Sequence, residues 1–190
     1  MKGLLCTFFW LQLRQKGIGM KTLLLFIAAV TSLFGFADSV RSFSADFTQQ
    51  ITDDTNQTIT YEGHVDATRP DKARWQYFRP VEKSVFVIGH KVTIIEPELE
   101  QAIVKTFRDE IDLFKILSKA VKLDDETYLA THKSQQFLIK IRDDVPMAIS
   151  YKDAFENTIR ILFSKQKINR NYPETLFIPD IPAGYDLLSE

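Results

Sequence analysis

Thr58–Thr68 reads TITYEGHVDAT, and its alternation decides the fold. Ile59, Tyr61, Gly63 and Val65 fall on one phase, and Thr60, Glu62, His64 and Asp66 on the other. A period of two predicts a β-strand with one face buried and one in water. Directly after it comes RPDKARW, Arg69–Trp75, which sets an arginine at the edge of an apolar sheet. A guanidinium is always charged, so Arg69 belongs in solvent, in an ion pair, or holding another element. Upstream, Ser42–Thr52 (SFSADFTQQIT) alternates in the same way, with Phe43, Ala45, Phe47 and Gln49 on one face. The intervening DDTNQ reads as a turn.

The same signal continues along the chain. Strands are predicted over Ala73–Phe78, Lys83–Ile88 and Lys91–Ile95, broken at Arg79-Pro80 and at the hairpin pair Gly89-His90. Another is predicted over Glu98–Phe107, started by Pro97, which cannot donate to a ladder. Asp109–Val121 (DEIDLFKILSKAV) is the one clear helix: Leu113, Phe114, Leu117, Ala120 and Val121 repeat at helical spacing, and two acids open it. Strands then resume over Thr127–Thr131, Gln136–Arg142, Met147–Tyr151, Thr158–Ser164 and Lys167–Asn169, and the tail LFIPDIPAGYDLL reads as an irregular strand. Without long crossovers such strands pair antiparallel, and a sheet of about eleven strands curls or closes. The expectation is a mainly β protein: an open half-barrel of about eleven antiparallel strands, with an apolar concavity that one helix cannot cover.

The N-terminus reads differently. After Met20-Lys21, residues 22–36 are mostly apolar, and Gly35 and Ala37 stand at the −3 and −1 positions of a cut. That predicts a cleaved signal peptide ending at Ala37, with residues 1–19 upstream of a better start. The alternative, a membrane anchor, needs about 20 apolar residues. Cys6, the only cysteine, precedes the apolar run, so it is not placed for lipidation at the cut. The predicted mature domain is 38–190, exported and stabilised by an ordinary core. Lys2, Arg14, Lys16 and Lys21 are the only charged residues of 1–37, so removing that segment leaves 20 basic against 25 acidic residues. This balance argues against nucleic acid as a partner.

No catalytic or metal constellation is legible. His64, His90 and His132 are scattered, the pairs Asp53-Asp54, Asp124-Asp125 and Asp143-Asp144 read as turns, and no nucleophile elbow or phosphate loop occurs. The expectation is a non-enzyme without cofactor or metal. What the chain has is apolar surface: 15 Phe, and runs such as SVFVIG and TIRILF with apolar residues on both faces. This fits either a well-filled core or a lipid-binding groove.

In order along the chain, SFSADFTQ, EGHVDATRPDKARWQY, RPVEKSVFVIGHKVTIIEPELEQAIV, DLFKIL and IPAGYDLL resemble the LolA family of periplasmic outer-membrane lipoprotein carriers. The resemblance implies an eleven-stranded half-barrel with a helical lid, acting as a monomer in the periplasm. Its partners would be acylated lipoproteins, an inner-membrane lipoprotein-releasing ABC transporter (LolCDE-like) and an outer-membrane acceptor (LolB-like). Arg69 matches the family arginine that latches the lid. Phe43, Phe47, Trp75, Tyr77, Val85, Val87, Leu113, Phe114 and Leu117 would line the acyl-chain cavity. Two departures stand out: only DSVR precedes the first strand where relatives carry a longer helix, and Ala73 replaces the aromatic often found four residues after the arginine. A lipid- or peptide-binding sensor on the same fold, without handover, is the alternative.

Overall fold

The computed structural model describes residues 41–106, 121–132, 135–143 and 145–189. They form β1 (Ser42–Thr52), β2 (Thr58–Thr68), β3 (Lys72–Arg79), β4 (Lys83–Ile88), β5 (Lys91–Glu96) and β6 (Gln101–Thr106), then β7 (Val121–Lys122), β8 (Thr127–His132), β9 (Gln135–Arg142), β10 (Val145–Lys152), β11 (Thr158–Ile168) and β12 (Asp186–Ser189). All twelve belong to one open sheet, in the order β12-β6-β5-β4-β3-β2-β1-β11-β10-β9-β8-β7. The first strand is therefore central. The chain runs outward to β6, resumes at the far edge with β7, and returns to pair β11 with β1.

The sheet curls. β3 and β11 are separated by β2 and β1, so at the usual strand spacing they stand about 14 Å apart. Yet the rings of Trp75 and Phe163, on those two strands, have centroids 6.4 Å apart. Only a strongly bent sheet brings them together. Phe47 on β1 bridges the gap, edge-on to Trp75 at 4.8 Å and to Tyr77 at 5.0 Å.

Three expectations about the strands need correction. One pairing is parallel: β12 runs alongside β6, from Asp186↔Gln101 to Ser189↔Val104. The crossover that parallel pairing requires is the whole second half of the chain, which sequence reading treated as absent. The strand expected from Glu98 begins at Gln101 instead. Pro97–Leu99 forms a 3₁₀ turn, closed by Glu100 in the left-handed region at φ 48°. Finally, Lys167–Asn169 is not a separate strand. Its residues up to Ile168 continue β11 past an irregularity opposite Ser44–Asp46, where Lys165 takes φ 53°.

The described residues contain no α-helix, only that 3₁₀ turn and a second over Glu174–Phe177, so the helical lid finds no support among them. Of the helix expected over Asp109–Val121, residues up to 120 lie outside the described residues, and Val121 opens β7. Leu113, Phe114 and Leu117 are among those outside.

The segment after β11 explains why SVFVIG is apolar on both faces. Val85 and Val87 point to the concave side, whereas Phe86, with Ile95 and Ala102, meets Ile181 and Tyr185 on the outer side. Phe177 is buried within the same arm, against β3 and β4. Lys72 of β3 pairs with Glu174 there.

Candidate functional site

The concave face is a continuous apolar surface built by strand alternation. From the centre outward on one side, Phe47 faces Gly63, which faces Tyr77, and Val65 faces Trp75, Val85, Ile94 and Ile103 in turn. On the other side, Ile161 faces Ile149 and Ile139, and Ile159 faces Tyr151 and Phe137. All belong to one buried cluster apart from Gly63. Of the predicted lining, Phe43, Phe47, Trp75, Tyr77, Val85 and Val87 come together here, each with at most 6% of its surface exposed. The half of the face on β9, β10 and β11 was not singled out in the sequence, although its alternation was there to be read.

Gly63 is where two large rings can share the face. A Cβ there would stand 2.5 Å from the Phe47 ring and would also overlap the Gln76 carbonyl oxygen. Only hydrogen lets Phe47 lie across β2 to reach Tyr77.

The face is not apolar throughout. Tyr77 donates to Gln49 Oε1 at 3.1 Å, and both are buried. The Lys83 ammonium stands over Tyr77 at 4.4 Å and over Tyr61 at 5.4 Å from the ring centroids. Glu96, also buried, accepts from Gln101 Nε2 at 2.5 Å. Burial pushes the Glu96 carboxyl above its ordinary range, against the opposing effects of Gln101 and Lys83. Complete desolvation drives the Tyr77 hydroxyl well above its usual value. None of this polar row except Tyr77 was picked out as a site residue.

Arg69 lies in the turn after β2, half-buried, and its backbone N–H donates to the Arg41 carbonyl at 2.9 Å. The two neighbouring arginines are engaged elsewhere. Arg74 pairs with Asp66 at 3.0 Å on the outer face, and Arg79 with exposed Glu62 at 3.6 Å.

The outer face carries a second cluster. His64 Nδ1 stands 2.7 Å from Asp46 Oδ1, and Nε2 stands 3.0 Å from Ser44 Oγ and 3.4 Å from Asp66 Oδ1. Lys165 pairs with Asp46 at 2.9 Å. The order serine, histidine, aspartate matches a hydrolytic triad, but the chemistry does not. Asp66 foremost, and Asp46 after it, raise the His64 pKa despite partial burial. Two carboxylates flank the imidazole, Asp46 at Nδ1 and Asp66 beside the serine at Nε2, and both favour its protonated form over the neutral base a triad uses. The cluster is a brace joining β11, β1, β2 and β3.

Comparison with known proteins places this fold. The family profile described as "Outer membrane lipoprotein carrier protein LolA" matches residues 38–140. The chain belongs to the LolA family. Among LolA relatives, the "Outer-membrane lipoprotein carrier protein" of Campylobacter jejuni is 33% identical over 168 residues, covering 88% of this chain and 98% of that one. The protein of the same description from Helicobacter pylori strain P12 is 30% identical over 139 residues, 73% of this chain and 74% of that one. Among solved structures, an uncharacterized conserved protein from Thermus thermophilus superposes with a TM-score of 0.53 at 11% identity, covering 86% of this chain and 98% of that one. At that identity the likeness concerns the fold alone.

Proposed function

We propose that this protein is a periplasmic carrier of acylated lipoproteins. It receives them from an inner-membrane ABC transporter of the LolCDE kind, shields their acyl chains on the concave face, and delivers them to an outer-membrane acceptor of the LolB kind. The observation that carries this reading is the band of buried apolar residues that crosses the concave face from β6 to β9 in a chain of the LolA family. Opened, a core of this shape would offer one broad, curved apolar surface, which suits extended hydrocarbon.

Energetics argue for a latch. Burying an acyl chain of about 15 methylenes is worth roughly 12 kcal/mol. Three such chains would exceed the practical ceiling on non-covalent affinity, near about −20 kcal/mol. A carrier that tight could not release its cargo, so either the chains are buried incompletely or part of the gain goes into opening the protein. Arg69 is our candidate for that latch. Its position supports the role: it sits in the turn after β2, at one end of the concave face.

The test is a detergent-free purification of tagged protein from periplasm, with bound acylated proteins identified by mass spectrometry, in wild type and Arg69→Leu. Lipoproteins bound to wild type and enriched several-fold in the variant are the expected result, the scale of a lost charged interaction. Free lipid alone, unchanged by the variant, would favour a lipid-binding sensor without handover.

A further inference from the structure

The concave face has two unlike ends. Toward the β2–β3 turn it finishes in Phe43, Ala67, Ala73, Val87 and Val92, which are apolar from β1 to β5. About 14–20 Å away, two to three pleat repeats along the strands, lies a row of Gln49, Tyr61, Tyr77, Lys83, Glu96 and Gln101, past which, among β1 to β6, only β1 carries the apolar phase further, to Ile51. Strand alternation puts these six on the concave side. Tyr61 and Tyr77 belong to the apolar cluster, Lys83 is the register partner of Tyr77, and Gln101 is that of Glu96. Lys83 and Glu96 are cross-strand neighbours, next to the pair Ser84↔Ile95.

Such groups are costly to bury, and a plain hydrocarbon sheath would have no use for them. Their composition matches an amphiphile. Lys83 offers a compact ammonium held over two ring faces, Gln101 orients the Glu96 carboxyl, and Tyr77 and Gln49 satisfy each other. An acylated chain carries its oxygens, the ester and amide carbonyls, at one end only. Buried carbonyls need donors, so the donors must stand where that end lies.

We propose that this row is the head-group subsite of the concave face, in which the Lys83 ammonium donates to the carbonyl oxygens of an acylated cargo. The chains then run from Lys83 toward the Arg69 end. The subsite rests on the carrier reading and adds a direction to it.

The test uses purified protein and two probes: an environment-sensitive apolar dye, N-phenyl-1-naphthylamine, and a synthetic dipalmitoylglyceryl-cysteinyl peptide that displaces it. Palmitate serves as a third competitor. Lys83→Met keeps the length and apolar bulk of the side chain and removes the charge. It should weaken lipopeptide binding about tenfold or more, the loss expected for one charge-assisted hydrogen bond. Dye affinity should stay within about twofold, since the dye has no carbonyl, and Lys83→Arg should restore the lipopeptide. Palmitate weakened alongside the lipopeptide assigns Lys83 to acyl oxygens in general; palmitate unaffected assigns it to the glyceryl esters. Unchanged lipopeptide affinity in a folded Lys83→Met protein overturns the subsite and leaves the carrier reading standing. Wild-type protein that binds neither dye nor lipopeptide overturns both.

Discussion

Gly63 decides how the concave face is filled. On β2 it stands between Phe47 and Tyr77, whose rings meet across it. Alanine there would drive Cβ into the Phe47 ring and the Gln76 carbonyl oxygen, and the backbone atom cannot swing away. Overpacking of this kind typically costs about 1–3 kcal/mol, and backbone involvement puts Gly63→Ala at the top of that range. Urea unfolding should report it as a lower midpoint with an unchanged slope. The alternation of TITYEGHVDAT put Gly63 on the inward phase. That it lies beneath a neighbouring ring is a cross-strand fact, absent from any local pattern. Arg69 is similar: its place at the edge of the sheet was legible, and what surrounds it was not.

At the scale of elements, β11, β1, β2 and β3 are braced on the outer face by Lys165, Asp46, Ser44, His64, Asp66 and Arg74. His64 has its pKa raised above the ordinary 6.5, chiefly by Asp66. Its contribution is therefore fully present below the unfolded value and is lost as pH rises through the higher folded value. Asp46, lowered first by His64 and then by Lys165, behaves oppositely. So does Asp66, which His64 and Arg74 lower despite the upward pull of burial. Their contributions are present above the ordinary 3.8 and are lost as pH falls through the lower folded values. The brace is strongest between those limits. The difference in melting temperature between wild type and His64→Gln should therefore be largest near about pH 6 and shrink by about pH 9. A difference that grows with pH would contradict the assignment. Sequence reading put His64 on the polar phase as a surface residue, correctly for the face and incompletely for the partners, since Ser44 and Asp46 arrive from β1.

For the molecule as a whole, the decisive feature is how the chain returns. After β11 it crosses the outer face of β3 and β4 through the Glu174–Phe177 turn, then lays β12 beside β6. This arm buries Phe177 and covers Phe86, Ile95 and Ala102 with Ile181 and Tyr185. It also occupies a sheet edge that would otherwise be open to other chains. Phe177→Ala removes a fully buried ring and should destabilise by about 3–5 kcal/mol. Loosening of the arm should also raise binding of an apolar-surface dye and promote self-association, readable by light scattering. Destabilisation without either effect would mean that the arm holds without its anchor.

Most strands, their boundaries within a residue or two, the inward phase and the turns were determined by the sequence itself, because alternation, Gly89 and the Asp-rich turns act within a few residues. The order of strands across the sheet, the parallel pairing at its edge, the partners of His64 and the polar row at Lys83 and Glu96 were decided only by tertiary structure. Each depends on contact between residues far apart in the chain. Local propensity carries no record of such neighbours; the curl of the sheet chooses them.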